Sequence, residues 1–228
     1  METIVITGAN RGIGLALTAR FAAAGHQVIA ACRHPAGADA LRKLSGSNVE
    51  ILSLDVADAD SVNSFGKQLG NRVVDVLINN AGIMGGDKQG IADMDYAAWL
   101  RTFEINTIAP FRLTTALLPN LKKSARPRVI TVSSQMGAFG LEMGTDRYIY
   151  RSSKSAVSKV MQVLAVELKP DNIIVCPVHP GWVQTDMGGP NAQISATDSA
   201  NGLFNLIDTM TMEHSGRFWS WDGTEHVW

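Results

Sequence analysis

Short apolar runs rich in β-branched residues alternate along the chain with longer segments in which apolar positions recur at helical spacing. A short, continuous apolar run is typical of a parallel strand that is covered on both faces. Seven runs fit this description, the last of them weakly. We therefore predict strands at Thr3–Thr7, Gln27–Cys32, Val49–Leu54, Val73–Asn79, Arg128–Ser133, Ile173–His179 and Phe218–Trp221.

The segments between these runs predict six helices. Gly25 follows the first helix, where a C-terminal glycine is favoured, and Pro170 lies just beyond the fifth, where it cannot continue the helix. Strand–helix alternation requires right-handed crossovers, which predict an α/β fold with a doubly wound parallel sheet and helices on both faces. No repeat or long linker interrupts the pattern, so we expect one domain over residues 1–228. The predicted helices cover residues 11–24, 36–45, 58–70, 95–122, 148–168 and about 196–211.

The composition is that of a globular protein with one large core and little net charge. The 228 residues are 46% hydrophobic, and 20 Lys and Arg residues nearly balance 21 Asp and Glu residues, which argues against a nucleic-acid binder. Cys32 and Cys176 lie in strand-like runs and indicate buried thiols in a reducing compartment, so we expect neither a disulfide nor a metal site. The chain has no signal-peptide pattern and no apolar run long enough for a membrane span, which predicts a cytoplasmic protein.

A glycine-rich turn lies between the first strand and the first helix. Gly8, Gly12 and Gly14 let the backbone approach a pyrophosphate without a Cβ in the way, and the helix N-terminus then offers free amides and a partial positive charge. Their spacing, G-x3-G-x-G, differs from the G-x-G-x-x-G of the commoner dinucleotide-binding turn. The turn predicts a phosphate cradle, with a plain strand–helix turn as the alternative.

Tyr150 and Lys154 are four residues apart at the start of the fifth predicted helix, so their side chains face the same way. A nearby ammonium favours the phenolate, and moving a tyrosine pKa from about 10 to about 7 takes roughly 4 kcal/mol. Tyr148 is the rival, but the residue four positions after it is Ser152, which brings no charge. The pair predicts a phenol, Tyr150, that exchanges a proton beside a bound dinucleotide.

Three motifs occur in the order and spacing of a known enzyme family. They are the turn Thr7–Gly14, the segment Asn79–Gly82 with the sequence N-N-A-G, and Tyr150 with Lys154. Together they make the chain resemble the short-chain dehydrogenase/reductase family, single-domain type, over essentially its whole length. The resemblance implies a Rossmann-type fold and an oxidoreductase that transfers hydride between a nicotinamide cofactor and a small carbonyl or alcohol substrate.

The resemblance also implies four catalytic residues. Ser134 and Tyr150 would hydrogen-bond the substrate carbonyl oxygen, with Ser133 as the alternative to Ser134. Tyr150 would act as general acid in reduction and as general base in oxidation. Lys154 would lower the pKa of Tyr150 and bind the nicotinamide ribose. Asn106 would bend the long helix at 95–122 and hold a water that connects Lys154 to solvent.

One departure narrows the resemblance to a subgroup. Fifteen residues separate Ser134 from Tyr150, more than the family usually has, and the extra residues fall in the loop Gln135–Arg147, which contains three glycines. The carbonyl-reductase-like members, including the Sniffer and C-factor types, have a similarly enlarged loop and a similar sequence around Tyr150.

The end of the second strand indicates which dinucleotide is bound. Relatives that use NAD have an acidic residue there, whereas this strand ends Cys32-Arg33-His34 without a carboxylate. Arg33, and Arg11 in the glycine turn, suit a 2′-phosphate, so the resemblance implies NADP(H) more than NAD(H). The positions that it assigns to the cofactor are Gly8, Asn10, Arg11, Gly12, Ile13, Gly14, Arg33, Asp55, Val56, Asn80, Ala81, Gly82, Tyr150, Lys154, Pro180, Gly181, Val183 and Thr185.

The surroundings of the site follow from the same resemblance. Residues from about 182 to 200 correspond to the variable substrate loop of the family. The helices at 95–122 and 148–168 correspond to those that pack against a partner copy, which implies a homodimer or homotetramer. We expect no nucleic-acid or membrane partner.

Two other functions remain open. A dinucleotide-binding signalling or scaffold protein of the C-factor type would turn over substrate only incidentally, but the complete set of Asn106, Ser134, Tyr150 and Lys154 argues against it. A nucleotide-sugar epimerase of the extended branch of the family needs an added substrate domain, and too few residues follow the sixth strand to form one.

Overall fold

Seven parallel strands form one sheet in the computed structural model, which describes residues 1–46, 48–141, 144 and 146–228. Their order is β3-β2-β1-β4-β5-β6-β7, so the winding direction reverses between β1 and β4. This confirms the predicted Rossmann-type sheet, in which ligands bind at such a reversal, beyond the carboxyl ends of the strands. The strands are β1 Thr3–Thr7, β2 Gln27–Cys32, β3 Val49–Ser53, β4 Val76–Asn79, β5 Arg128–Val132, β6 Ile174–His179 and β7 Trp219–Ser220.

Helices cover both faces of the sheet, as the strand–helix alternation predicted. On one face, Leu17 of the first helix and Leu203 of the last pack over the strands, and on the other face Phe65, Leu113 and Met161 form a second core. Within the described residues, none of the helices combines the length and the apolar character that crossing a bilayer requires. The helices are α1 Gly12–Ala23, α2 Asp39–Arg42, α3 Ala59–Leu69, α4 Tyr96–Phe103, α5 Ala109–Leu121, α6 Tyr148–Glu167 and α7 Ala196–Thr209.

The prediction of one continuous helix over 95–122 is wrong, because α4 and α5 are separated by one turn of π-helix, Glu104–Ile108. Asn106, a poor helix former, lies in this turn, which agrees with the bend predicted there. Pro110 follows four residues later and has no N–H to donate to the Asn106 carbonyl, so the regular α-helical bond cannot form. Single π-turns of this kind are frequent at functional sites.

Two further elements are shorter than their sequence patterns predicted. Helix α2 covers Asp39–Arg42 and not 36–45, since Leu41 is the one residue of this helix that is buried. Strand β4 begins at Val76 and not at Val73, because Val73 is exposed and the N–H of Val74 donates to the Asn120 carbonyl at 3.3 Å instead of joining a strand. Hydrophobic runs identify such elements better than they locate their ends.

Candidate active site

The glycine turn after β1 presents an uncapped helix N-terminus. Gly8 has a φ of +63° and Gly12 a φ of +53°, conformations that favour glycine. A Cβ on Gly14 would collide with the Gly8 carbonyl oxygen. Arg11 occupies the N-cap position of α1 without a side-chain cap, so the first amides of the helix stay free to bind an anion. These features fit a dinucleotide phosphate.

Asn80 and its neighbour tie the glycine turn to the end of β4. The Asn80 side-chain amide donates to the carbonyls of Thr7 at 2.9 Å and Gly8 at 3.2 Å. The Thr7 hydroxyl accepts the main-chain N–H groups of Asn80 and Ala81, both at 3.0 Å. Thr7, Ala81 and Val56 also line one narrow cavity. The Asn80 side chain therefore holds the cradle in shape, which is a structural role.

The segment after β6 closes over the same turn. A Cβ on Gly12 would lie 3.2 Å from the methyl carbon of Thr185, so these two residues are adjacent. Arg11 forms an exposed ion pair with Asp186, Nη1 to Oδ2 at 2.6 Å. Arg33 is also exposed, and it makes no salt bridge with any residue that the structure describes. Of the two predicted phosphate ligands, only Arg33 therefore stands without an acidic partner in the described part of the chain.

The other residues predicted for the cofactor differ in how accessible they are. Asn10 is exposed and Ile13 is half-buried at the glycine turn. Asp55 is half-buried, and its Oδ1 accepts the N–H of Ala57 at 3.0 Å, which leaves its second carboxylate oxygen for another donor. Val183 is buried and pairs with Ile194 across the predicted substrate loop.

Pro180 and Gly181 follow β6 directly and precede that loop. Trp182 donates its indole N–H to the Gly188 carbonyl at 2.9 Å. The Gln184 side chain donates to the Ala192 carbonyl at 3.0 Å. Helix α7 begins at Ala196, so the irregular part of the predicted 182–200 segment ends at the N-cap of that helix.

Tyr150 and Lys154 lie together on the inner face of α6. Tyr150 is 8% exposed and Lys154 is 5% exposed. The Lys154 Nζ is 5.6 Å from the centre of the Tyr150 ring and donates to the Val132 carbonyl at 2.8 Å. The rival Tyr148 is 44% exposed. The geometry thus pairs the lysine with Tyr150 and fixes its ammonium at the end of β5.

The two serines after β5 face different partners. The Ser133 hydroxyl is fully buried, donates to the Lys154 carbonyl at 3.2 Å and shares a 2.7 Å hydrogen bond with Ser158. The Ser134 hydroxyl instead lies near the Tyr150 phenol and acts to lower its pKa, and its oxygen accepts the N–H of Met136 at 3.1 Å. The geometry therefore favours Ser134 over Ser133 as the serine that faces the substrate.

Burial shifts the pKa values of both Tyr150 and Lys154. Burial raises the pKa of Tyr150 to about 12, against smaller opposing effects of the nearby Ser134 hydroxyl and the charge on Arg147. Burial also lowers the pKa of Lys154 to about 8. For the chain alone, burial therefore shifts the phenol pKa in the direction opposite to the one predicted, and Lys154 is not among the causes of the shift. At neutral pH the Tyr150 phenol is therefore protonated and can donate a hydrogen bond.

Asn106 holds the π-turn against the loop that follows β4. Its side chain exchanges two hydrogen bonds with Ile83, each at 2.9 Å, and donates to the Ser153 hydroxyl at 3.0 Å. A Cβ on Gly82 would lie 3.2 Å from the Asn106 Oδ1 and 3.6 Å from the Lys154 Nζ. The Asn106 side chain is therefore engaged in structural bonds, and its main-chain carbonyl lacks the α-helical bond from residue 110, which is a proline.

Three residues near the site have contacts that the sequence did not predict. Gln89 is buried and bonds the main chain of Tyr150, yet it lies in an irregular segment with no pattern to mark it. Asp186 pairs with Arg11 across 175 residues, which only the fold brings about. His179, predicted to be a strand-end residue, is buried beside His226, and burial lowers its pKa to about 4.

A cavity of about 770 Å³ lies away from this site, between α7 and the turn that follows β7. Asn201, Asn205, Trp221 and Asp222 are among its lining residues, and neither Tyr150 nor Lys154 is. Within the described residues, no group of three or more His, Cys, Asp or Glu side chains could hold a metal ion.

The similarity of this chain to known proteins covers all the residues of the site. A family model described as short chain dehydrogenase matches residues 2–195, which include every residue predicted for the site. The C-signal of Myxococcus xanthus is 45% identical over 155 residues, 68% of this chain and 93% of that protein. Carbonyl reductase Sniffer of D. melanogaster has a TM-score of 0.95 at 32% identity, with all of both chains covered. An NADPH-bound carbonyl reductase from chicken fatty liver has a TM-score of 0.92 at 31% identity, covering 100% of this chain and 99% of that one.

Proposed function

The chain belongs to the short chain dehydrogenase family of oxidoreductases, and we propose that it is an NADP(H)-dependent carbonyl reductase that also oxidises the corresponding alcohols. The observation that carries the proposal is the grouping of Ser134, Tyr150 and Lys154, three buried side chains at the carboxyl end of β5. That grouping lies on the same edge of the sheet as the uncapped N-terminus of α1.

In the proposed reaction, Tyr150 donates a proton to the carbonyl oxygen as the alkoxide develops. Burial keeps the phenol protonated at neutral pH, so the acid form needed for reduction is the resting form. The Ser134 hydroxyl, which lies near the Tyr150 phenol, would share the substrate oxygen with it. Bound NADP(H) would supply the hydride in reduction and accept it in oxidation.

Lys154 and Asn106 are proposed to resupply the proton. A pKa of about 8 means that Lys154 can gain or lose a proton near neutral pH. Its Nζ lies close to Gly82, and the adjacent π-turn leaves the Asn106 carbonyl without the α-helical donor from residue 110. A water on that carbonyl would connect the buried ammonium to solvent.

The preference for NADP(H) over NAD(H) is proposed from Arg33, which directly follows β2, where an acidic residue would bind a free ribose hydroxyl. The chicken liver reductase that is similar to this chain is NADPH-bound. Titration of the purified protein with NADPH and NADH tests the proposal, followed by turnover on a panel of aldehydes and ketones. Tighter binding of NADH would overturn the cofactor assignment, and no oxidation of either cofactor across the panel would overturn the activity.

Arg33→Ser sharpens this test. Because a charge-assisted hydrogen bond contributes about 1.5–3 kcal/mol, we expect the Kd for NADPH to rise roughly 10- to 100-fold with little change for NADH. Arg11→Ser is the matched comparison, and we expect a smaller effect because Asp186 already occupies that guanidinium. Equal losses of NADPH and NADH affinity in Arg33→Ser would show that Arg33 does not read the 2′-phosphate.

The substrate is proposed to be an apolar aldehyde or ketone. Phe139, Tyr148 and Trp182 are exposed aromatic residues on segments next to the catalytic group, and Met84 and Met136 are half-buried there. Aromatic and methionine side chains offer adaptable apolar contact, which suits a broad range of substrates.

A second candidate function is signalling, because the chain is 45% identical to a protein named C-signal. In that case the dinucleotide would bind as a structural ligand and turnover would be incidental. A Tyr150→Phe chain distinguishes the two functions, since a biological effect that survives loss of turnover would favour signalling.

We also propose that the protein is a homodimer, with a homotetramer as the larger alternative. Large exposed apolar patches on a globular protein mark interaction surfaces, and α4–α6 carry several such side chains. Sedimentation of the purified chain should give at least twice its 24.5 kDa mass, and a monomer would contradict this. Val166→Glu should weaken the assembly, whereas Ile91→Glu, on an exposed loop, should not. The exposed residues are Tyr96, Leu100, Ile108, Phe111, Val163 and Val166.

A further inference from the structure

Gln89 connects the loop after β4 to the first turn of the helix that carries the catalytic tyrosine. Its side chain is buried, with 6% of the residue exposed. The amide nitrogen donates to the carbonyls of Met84 at 2.9 Å and Gly86 at 2.7 Å. The amide oxygen accepts the main-chain N–H of Tyr150 at 3.3 Å. One carboxamide therefore makes three hydrogen bonds between two segments that are far apart in sequence.

Helix α6 needs such a partner because its own N-terminus lacks a cap. Arg147 occupies the N-cap position in the left-handed conformation, with φ 60° and ψ 44°, and makes no side-chain cap bond. The N–H of Tyr150 is one of the first four helix donors, which have no partner within a helix. A capping side chain normally comes from the N-cap residue itself. Here the acceptor comes from Gln89, 61 residues earlier in the chain.

We propose that Gln89 is a positioning residue for Tyr150, which acts through the helix main chain and touches neither substrate nor cofactor. It fixes the first turn of α6 against residues 84–86, the loop that continues from the predicted cofactor segment Asn80–Gly82. A misplacement of about 1 Å of a reacting group can cost about 10²-fold in rate. This inference rests on the proposed function, in which the Tyr150 phenol is the proton donor.

The test compares Gln89→Met with a matched variant far from the site. Methionine keeps the length and volume of glutamine and removes all three hydrogen bonds. Asn120 is also a buried side-chain amide, 4% exposed, and donates to the carbonyls of Gly70 at 2.9 Å and Arg72 at 2.7 Å. These carbonyls precede β4, at the opposite edge of the sheet from Tyr150. Asn120→Leu therefore removes a similar structural link without touching the site.

We expect both variants to melt at lower temperature, and only Gln89→Met to lose at least tenfold in kcat while its Kd for NADPH stays unchanged. If the role of Gln89 were purely structural, both variants would melt at a lower temperature and both would keep the kcat of the wild type. Wild-type kcat in a folded Gln89→Met protein, or an equal loss of kcat in Asn120→Leu, would overturn the proposal.

A second variant covers the case in which Gln89→Met does not fold. In Gln89→Glu the carboxylate still accepts the Tyr150 N–H, and a negative charge suits a helix N-terminus. It cannot donate to the Met84 and Gly86 carbonyls, so the helix loses its link to the loop. We expect a folded protein whose kcat is lowered at least tenfold, and wild-type kcat would overturn the proposal.

A readout without turnover separates failure of this inference from failure of the proposed function. The chain has three tyrosines, so tyrosine-selective isotope labelling gives three sets of ring signals, and Tyr150→Phe assigns one of them. We expect the Tyr150 ring signal to shift in Gln89→Met and Gln89→Glu and to stay in place in Asn120→Leu. An unmoved signal in both Gln89 variants would overturn the positioning role, even if the wild-type protein reduces no carbonyl compound.

Discussion

Tyr150→Phe should lower kcat for carbonyl reduction about 10²- to 10⁴-fold while NADPH binds as it does to the wild-type chain. The expected range is that of a general acid removed from a transition state, and it corresponds to about 3–5 kcal/mol of barrier. Phenylalanine keeps the buried ring and removes only the hydroxyl near Ser134. The loss should therefore appear in kcat, measured in single-turnover mixing, with no change in cofactor affinity by fluorescence titration.

Two matched variants make this result specific to Tyr150. Tyr96→Phe removes a phenol that is 71% exposed on α4 and should leave kcat unchanged. Tyr148→Phe tests the rival tyrosine, which stands two residues away on the same helix turn. If Tyr148→Phe caused the larger loss, the proton donor would be Tyr148 and the assignment of Tyr150 would be wrong. A Tyr150→Phe chain with kcat within tenfold of the wild type would remove the phenol from the mechanism altogether.

The positions of motif residues that follow strands could be predicted from the sequence, because a parallel sheet places the carboxyl ends of its strands at the same edge. The glycine turn after β1, the Asn80 segment after β4 and Ser134 after β5 meet at the carboxyl edge of the sheet, as strand order requires. The four-residue spacing placed Lys154 beside Tyr150, and the structure puts its ammonium 5.6 Å from the ring centre.

Two kinds of property could not be predicted from the sequence. They are the burial of individual side chains and the contacts between segments that are far apart in the chain. The phenol pKa follows from how completely the ring is desolvated, and residue spacing contains no measure of burial. Gln89 contacts Tyr150 and Asp186 contacts Arg11, across 61 and 175 residues of the chain. Local sequence patterns cannot predict contacts over such separations. The break of the predicted 95–122 helix could be predicted in part. Asn106 and Pro110 indicate a bend, but they do not indicate that it is a π-helical turn.

Lys154→Met should abolish most turnover and, at the same time, make the folded protein more stable at neutral pH. The Lys154 ammonium is buried, and its pKa is lowered from 10.5 to about 8 by desolvation. At about 1.36 kcal/mol per pKa unit, holding this charge at pH 7 costs on the order of 3 kcal/mol. Methionine removes the charge but leaves the Val132 carbonyl without its donor, which costs about 1–2 kcal/mol. We expect a net gain of about 1–2 kcal/mol in the free energy of unfolding, so that function is maintained here at the expense of stability.

The pH dependence of that gain identifies its cause. Below pH 8 the amine is charged in both the folded and the unfolded chain, so the full cost of burial is present. Between pH 8 and about 10.5 the folded amine is neutral while the unfolded one still binds a proton, so wild-type stability rises with pH and the advantage of Lys154→Met shrinks. Denaturant unfolding at pH 7, 8, 9 and 10 measures this trend. Lys159→Met is the control, because Lys159 is exposed on the same helix and its substitution should give no such trend. A Lys154→Met chain that is less stable than the wild type at pH 7 would mean that the ammonium is stabilised by its surroundings and that desolvation does not dominate the site.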